Sequence, residues 1–158
     1  MTELEEKLKK LIVTDLEPLC MFNSIEEIED FGREINFKFP EDYKNFLFTY
    51  GACVFYNNTA FQLPEVSNIT NSKGQCMTAA FHGSEITGKI ADMYRMIKDD
   101  YLRIGELGWY SLFMGMRGEK YGKIYIFAFD EDYRDGTSYF PAADSFTELI
   151  MNTVFTDE

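Results

Sequence analysis

Histidine is all but missing from this chain. His82 is the only one in 158 residues, which excludes metal sites built on a histidine pair. Cysteine is scarce and odd in number. Cys20, Cys53 and Cys76 are separated by 33 and 23 residues, with His82 another 6 on. Zinc sites need closer pairs, and a disulfide framework needs an even set in a smaller, loopier chain. Buried thiols acting as small hydrophobes are the expectation. Long apolar runs are also lacking, with none near the roughly 20 residues that span a bilayer. The opening Met1-Thr2-Glu3-Leu4-Glu5-Glu6 is acidic where a secretory signal is basic and then apolar. A reducing, aqueous compartment follows, so the expected location is cytoplasmic. Positive charge is the last shortage: 15 Lys and Arg stand against 27 Asp and Glu, a formal net charge of -12. Such a surface repels nucleic acid and anionic membrane, so neither is expected as a partner. It attracts basic proteins over a screening length of roughly 8 Å at physiological salt.

What is present is apolar and aromatic. Hydrophobic residues make up 46% and aromatics 16% of the chain, too much for a disordered segment. Broad rings pack best between a sheet and helices laid on it. Thr2 and Glu5 form a capping-box pattern before Leu4, Leu8, Leu11 and Ile12 at helical spacing, and Pro18 breaks this first helix. Ser24, with Glu27 three residues on, predicts the cap of a second helix with Ile25, Ile28, Phe31 and Ile35 inward. Phe39-Pro40 opens a third, with Pro40 suited to its first turn. Tyr43, Phe46, Leu47 and Tyr50 line one side of it, and Gly51 stops it.

From Cys53 to Phe81 the pattern predicts short strands, broken at Asn57-Asn58, Pro64, Asn68 and Ser72-Lys73-Gly74. A helix is predicted around Ile90, Met93, Tyr94 and Ile97. Two strands follow, Trp109 to Met116 and Lys123 to Phe129, joined as a hairpin through Arg117 to Gly122. The second is apolar on both faces and belongs inside a sheet. A terminal helix from about Asp144 turns Phe146, Leu149, Ile150 and Val154 inward. Met93, Met96, Met114, Met116 and Met151 are expected to fill core space. With no repeat, low-complexity tract or linker, residues 1–158 are expected to form one domain.

Candidate chemistry fails on spacing. Gly118-Glu119-Lys120-Tyr121-Gly122-Lys123-Ile124 is one residue short of a phosphate-binding loop, and Ile124 stands where a hydroxyl should hold magnesium. Counted as a calcium loop from Asp130, the fifth ligand position is Arg134, Gly136 comes one place late, and the final glutamate position holds Pro141. No metal, nucleotide or other cofactor is expected, and no catalytic residues are assigned. A Cys–His nucleophilic pair meets in space rather than in sequence; a pocket holding Cys53 or Cys76 near His82 would point to one. The dense acidic run Asp130, Glu131, Asp132 and Asp135, next to a rigid strand, reads first as a solvated loop, and it is also the candidate partner-binding site.

Three segments together resemble the SUKH superfamily, with order and spacing matching over about residues 24 to 152. The first is Ile25 to Phe31 running into Phe39-Pro40-Glu41-Asp42-Tyr43-Lys44-Asn45-Phe46-Leu47-Phe48-Thr49-Tyr50-Gly51. It is similar to the family's acidic helix position followed by Leu-Pro-x-x-Tyr, an apolar pair and a glycine. Phe39 replaces the usual leucine, and Ala52-Cys53-Val54-Phe55 replaces a second glycine-rich step. The second is Ile104-Gly105, which resembles the opening of the central strands. The third is Ala143 to Leu149, similar to the Ser-Phe start of the terminal helix. Asn57 to Thr87 matches nothing in the pattern and is where partner specificity could reside.

The resemblance implies an α+β domain with a mostly antiparallel sheet, N-terminal helices and a C-terminal helix packed on it. It implies a non-enzymatic immunity protein that neutralises a cognate polymorphic toxin by binding it. Many such toxins are nucleases with basic grooves, to which an acidic surface is complementary. The alternative is a regulatory adaptor of the cell-wall-synthesis-regulator type, also non-enzymatic. Tyr43, Phe46, Leu47, Ile124, Ile126, Phe146 and Ile150 are expected in one buried cluster, and Glu29 as a local cap or pairing partner.

Overall fold

A computed structural model describes residues 1–88, 96–128 and 139–156. Helices α1 (Glu3–Leu11), α2 (Ile25–Glu34) and α3 (Glu41–Tyr50) come first. Thr2 Oγ1 accepts from the Glu5 N–H at 3.1 Å while Glu5 accepts from the Thr2 N–H at 2.8 Å, satisfying two otherwise orphaned donors. Ser24 Oγ likewise accepts from the Glu27 N–H. Pro40 occupies the cap position of α3, one residue before the first turn, and Gly51 ends the helix with φ of 63°.

A sheet of seven strands follows: β1 (Cys53–Val54), β4 (Ala80–Phe81), β5 (Ile97–Lys98), β6 (Tyr101–Leu107), β7 (Tyr110–Gly115), β8 (Ile124–Ala128) and β9 (Tyr139–Ala143). Its order is β1-β4-β6-β7-β8-β9, with β5 also pairing β6, and every pairing is antiparallel. The short helix α4 (Phe146–Met151) closes the chain onto this sheet, capped by Ser145. Asp42 fastens it, accepting from the Thr147 N–H at 2.9 Å and its hydroxyl at 2.6 Å. Glu29 pairs with Lys44 at 2.8 Å and so ties α2 to α3.

The α+β reading holds, with helices at the N-terminus and one at the C-terminus. The seven residues expected in one cluster are all buried together. Rings at Tyr43, Phe46, Phe81 and Phe146 meet at centroid distances of 4.7 to 6.3 Å, the spacing of tilted and edge-to-face packing. The hairpin of β7 and β8 forms as predicted, with β8 one place in from the sheet edge.

Five local expectations fail. The terminal helix stops at Met151, and Val154 lies in a strand, β10 (Val154–Phe155). That strand joins β2 (Thr59–Gln62) and β3 (Gln75–Met77) in a second, three-stranded sheet that periodicity did not foretell. Pairing with β2 gives two residues a ladder that a frayed last turn could not. Ile97 is in β5, not a helix; Ile90, Met93 and Tyr94 lie outside the described residues. Trp109 precedes β7 in the tight turn after Gly108, whose φ of 62° suits glycine, and its ring is 83% exposed. Met96, Met114 and Met116 are buried, whereas Met151 is exposed, and Cys20 is exposed rather than buried. No described helix is long and apolar enough to cross a membrane.

Candidate functional site

A β-bulge creates the most concentrated polar cluster among the described residues. In a regular strand, Arg103 and Glu106 would point to opposite faces because side chains alternate. The β6 register shifts between Arg103 and Gly105: Arg103 stands opposite Phe113, and Glu106 opposite Ser111. Phe113 and Ser111 are two apart and share a face, so the extra residue places Arg103 and Glu106 side by side. Gly105 permits the close crossing of β4, since a Cβ there would lie 2.9 Å from the Ala80 carbonyl oxygen.

Glu106 is the hub. It accepts from Arg103 at 3.1 Å, from the Ser111 hydroxyl at 3.0 Å, and pairs with His82 Nε2 at 2.9 Å. His82 follows β4 and holds Glu85 through Nδ1, also at 2.9 Å. Glu85, in a short turn over Ser84–Thr87, takes the Gly83 N–H at 2.8 Å as well. Burial pulls the His82 imidazole down, but its bonds to Glu106 and Glu85 and their charges outweigh this, leaving its pKa raised. Geometry agrees: two carboxylates on two ring nitrogens are both satisfied only by the doubly protonated ring. For Glu85, burial is likewise outweighed by its bonds to His82 and Gly83, leaving its pKa lowered.

This cluster forms one end of a cleft of about 490 Å³. Its other walls are a strap, residues 12–19, and the β1–β4 edge, so Ile12, Leu16, Leu19, Val54 and Phe81 make it mainly apolar. Gly83 lets the strap come close: the Ser84 N–H donates to the Cys20 carbonyl at 2.7 Å, and a Cβ on Gly83 would lie 2.1 Å from that oxygen.

Cys53 lines the same cleft as His82, the arrangement that would suggest a nucleophilic pair. Both nitrogens of His82 face glutamates, however, and burial pushes the Cys53 thiol up to about 12. A nucleophilic cysteine needs the opposite shift. Cys76, in β3, is pushed up to about 11 by burial and is not among the cleft residues. Among the described residues, no group of three or more His, Cys, Asp and Glu is gathered as metal ligands would be.

Asp130, Glu131, Asp132 and Asp135 lie outside the described residues. The cleft itself was not foreseen. Its residues come from four separate stretches, and only the single histidine offered a signal in the chain.

A mostly antiparallel seven-stranded sheet, with three helices before it and one at the C-terminal end, makes this an α+β domain. The chain belongs to the SMI1/KNR4 family (SUKH-1), whose model matches residues 23–152. Neither curated proteins nor solved structures supply a match.

Proposed function

We propose that this protein is a non-catalytic immunity protein, which binds a toxin of the same cell and blocks it by contact. The observation that supports this best is the state of the cleft. His82, Glu85 and Glu106 are engaged with one another, its one thiol is held protonated, and its walls are mainly apolar. That is a surface suited to contact rather than bond-breaking. Family membership supports the same reading, since the bacterial members that the chain resembles are mostly immunity proteins. The net charge of -12 favours a partner with a basic face and hastens encounter with it. Its compartment on this reading is the cytoplasm, where the toxin would otherwise act.

The test is co-expression. A toxin domain encoded beside this gene should arrest growth alone, and growth should return when this chain is supplied, with a stable complex recovered. Growth arrest that persists, with no complex formed, would overturn the reading.

A further inference from the structure

We propose that the cleft seats one extended segment of the partner protein, in which aliphatic side chains lie next to a lysine or arginine. This rests on the protein-binding reading above and adds the chemistry of what is bound.

Three observations converge on that occupant. The first is shape. The strap is tied at one end to β1, where the Val13 N–H donates to the Val54 carbonyl, and at the other to the residue before it, where the Ala52 N–H donates to the Leu19 carbonyl, both at 3.0 Å. Between these ties residues 14–18 make no hydrogen bond to β1 among the described residues. The strap therefore stands off the strand and leaves a slot along it. A slot that follows a strand fits an extended chain better than a helix. Its volume of about 490 Å³ falls within the ~300–1,000 Å³ of sites that enclose a ligand.

The second is apolar exposure. Leu16 is 60% and Leu19 64% exposed on the strap side of the slot, and half-buried Val54 continues them on its inner wall. Aliphatic side chains left in water along a groove gain most from an aliphatic occupant.

The third is charge. Glu17, Glu85 and Glu106 line the cleft, and no lysine or arginine does. His82 and Arg103 answer Glu85 and Glu106. Glu17 has no such partner among the described residues, and beside it Asp15 is exposed as well. A cationic side chain at the strap end is complementary, whereas an acidic segment is repelled. A second copy of this chain would bring Glu17 and a net charge of -12 against the same face.

Panning a phage-displayed library of random peptides on the purified protein tests this. Enriched sequences should combine aliphatic residues with Lys or Arg. A synthetic enriched peptide, followed by fluorescence polarisation, should lose about tenfold in affinity with Leu16→Ser. It should lose about two- to fivefold with Glu17→Gln and weaken with added salt. Trp109→Ala, on a different turn, should leave binding unchanged. Enrichment of acidic peptides, no enrichment, or binding indifferent to Leu16→Ser would overturn the proposal. So would a concentration-dependent dimer that Leu16→Ser abolishes, because a second copy would then fill the slot. A protein that rescues growth but ignores such peptides keeps the immunity reading and loses this one. One that selects them without rescue does the reverse.

Discussion

Phe81 and His82 are adjacent in sequence but belong to regions with opposite physics. Phe81 points into a core of rings, where it meets Phe46, Phe55, Phe61 and Phe146. His82 points to carboxylates and lines the cleft. The core is held by packing, which is indifferent to protons and vulnerable to lost volume. The His82 corner is held by charge-assisted hydrogen bonds, which are vulnerable to lost partners and to lost protons. One strand end thus serves a part that must stay shut and a part that must stay accessible.

The core side should break hardest. Phe46 contacts Tyr43, Tyr50, Phe81 and Phe146 and is almost wholly buried. Phe46→Ala should cost about 3–5 kcal/mol, because the cavity relaxes only partly. Urea denaturation would measure it, and a cost under about 1 kcal/mol would mean the cluster is not the keystone described. At the corner, Glu106→Ala removes the shared acceptor of His82, Arg103 and Ser111. The expected cost is about 2–3 kcal/mol, since buried donors are left short of a partner. A near-neutral result would show that the corner is not bound through Glu106.

Much of the core side was readable from the chain because its signals are local. Ser24 with Glu27, Phe39-Pro40 before Tyr43, Phe46 and Leu47, and the apolar run from Ile124 each state their element within one or two turns. The cleft side is non-local. Arg103 and Glu106 share a face only because of a bulge, and a bulge reverses the alternation that a sequence pattern relies on. Glu85 and Glu106 were two acids among 27. The three-stranded sheet needs Val154 to meet Ala60 across most of the chain, which no window of sequence can display.

Protons should separate the two regions next. His82 has a raised pKa in the fold, so the folded state retains a proton that the unfolded state gives up. Its stabilisation is fully present below the ordinary histidine value of about 6.5 and is lost as pH rises through the folded value. The stability difference between wild type and His82→Gln should therefore shrink on going from neutral to alkaline pH. The imidazole resonance is unambiguous, since the chain has one histidine, and it should titrate above the ordinary value. A midpoint at or below it would contradict the doubly protonated ring.

The smallest effect is expected at Tyr43. Its hydroxyl is buried with no hydrogen-bond partner among the described residues, and burial pushes its pKa up. Tyr43→Phe should be neutral or stabilising by up to about 1 kcal/mol, because an unpartnered buried hydroxyl costs more than it returns. A loss of more than about 1 kcal/mol would reveal a partner for that hydroxyl and make this part of the core polar too.

The division between a closed core and an open cleft is tested most directly by titrating the proposed partner, a toxin domain that rescue by co-expression identifies, into this protein in a calorimeter. Leu16→Asp places a charge on the apolar lip without touching the core, and it should weaken binding at least a hundredfold. Trp109→Ala should bind as the wild type does. Equal affinity for wild type and Leu16→Asp would contradict the account and move the binding face elsewhere.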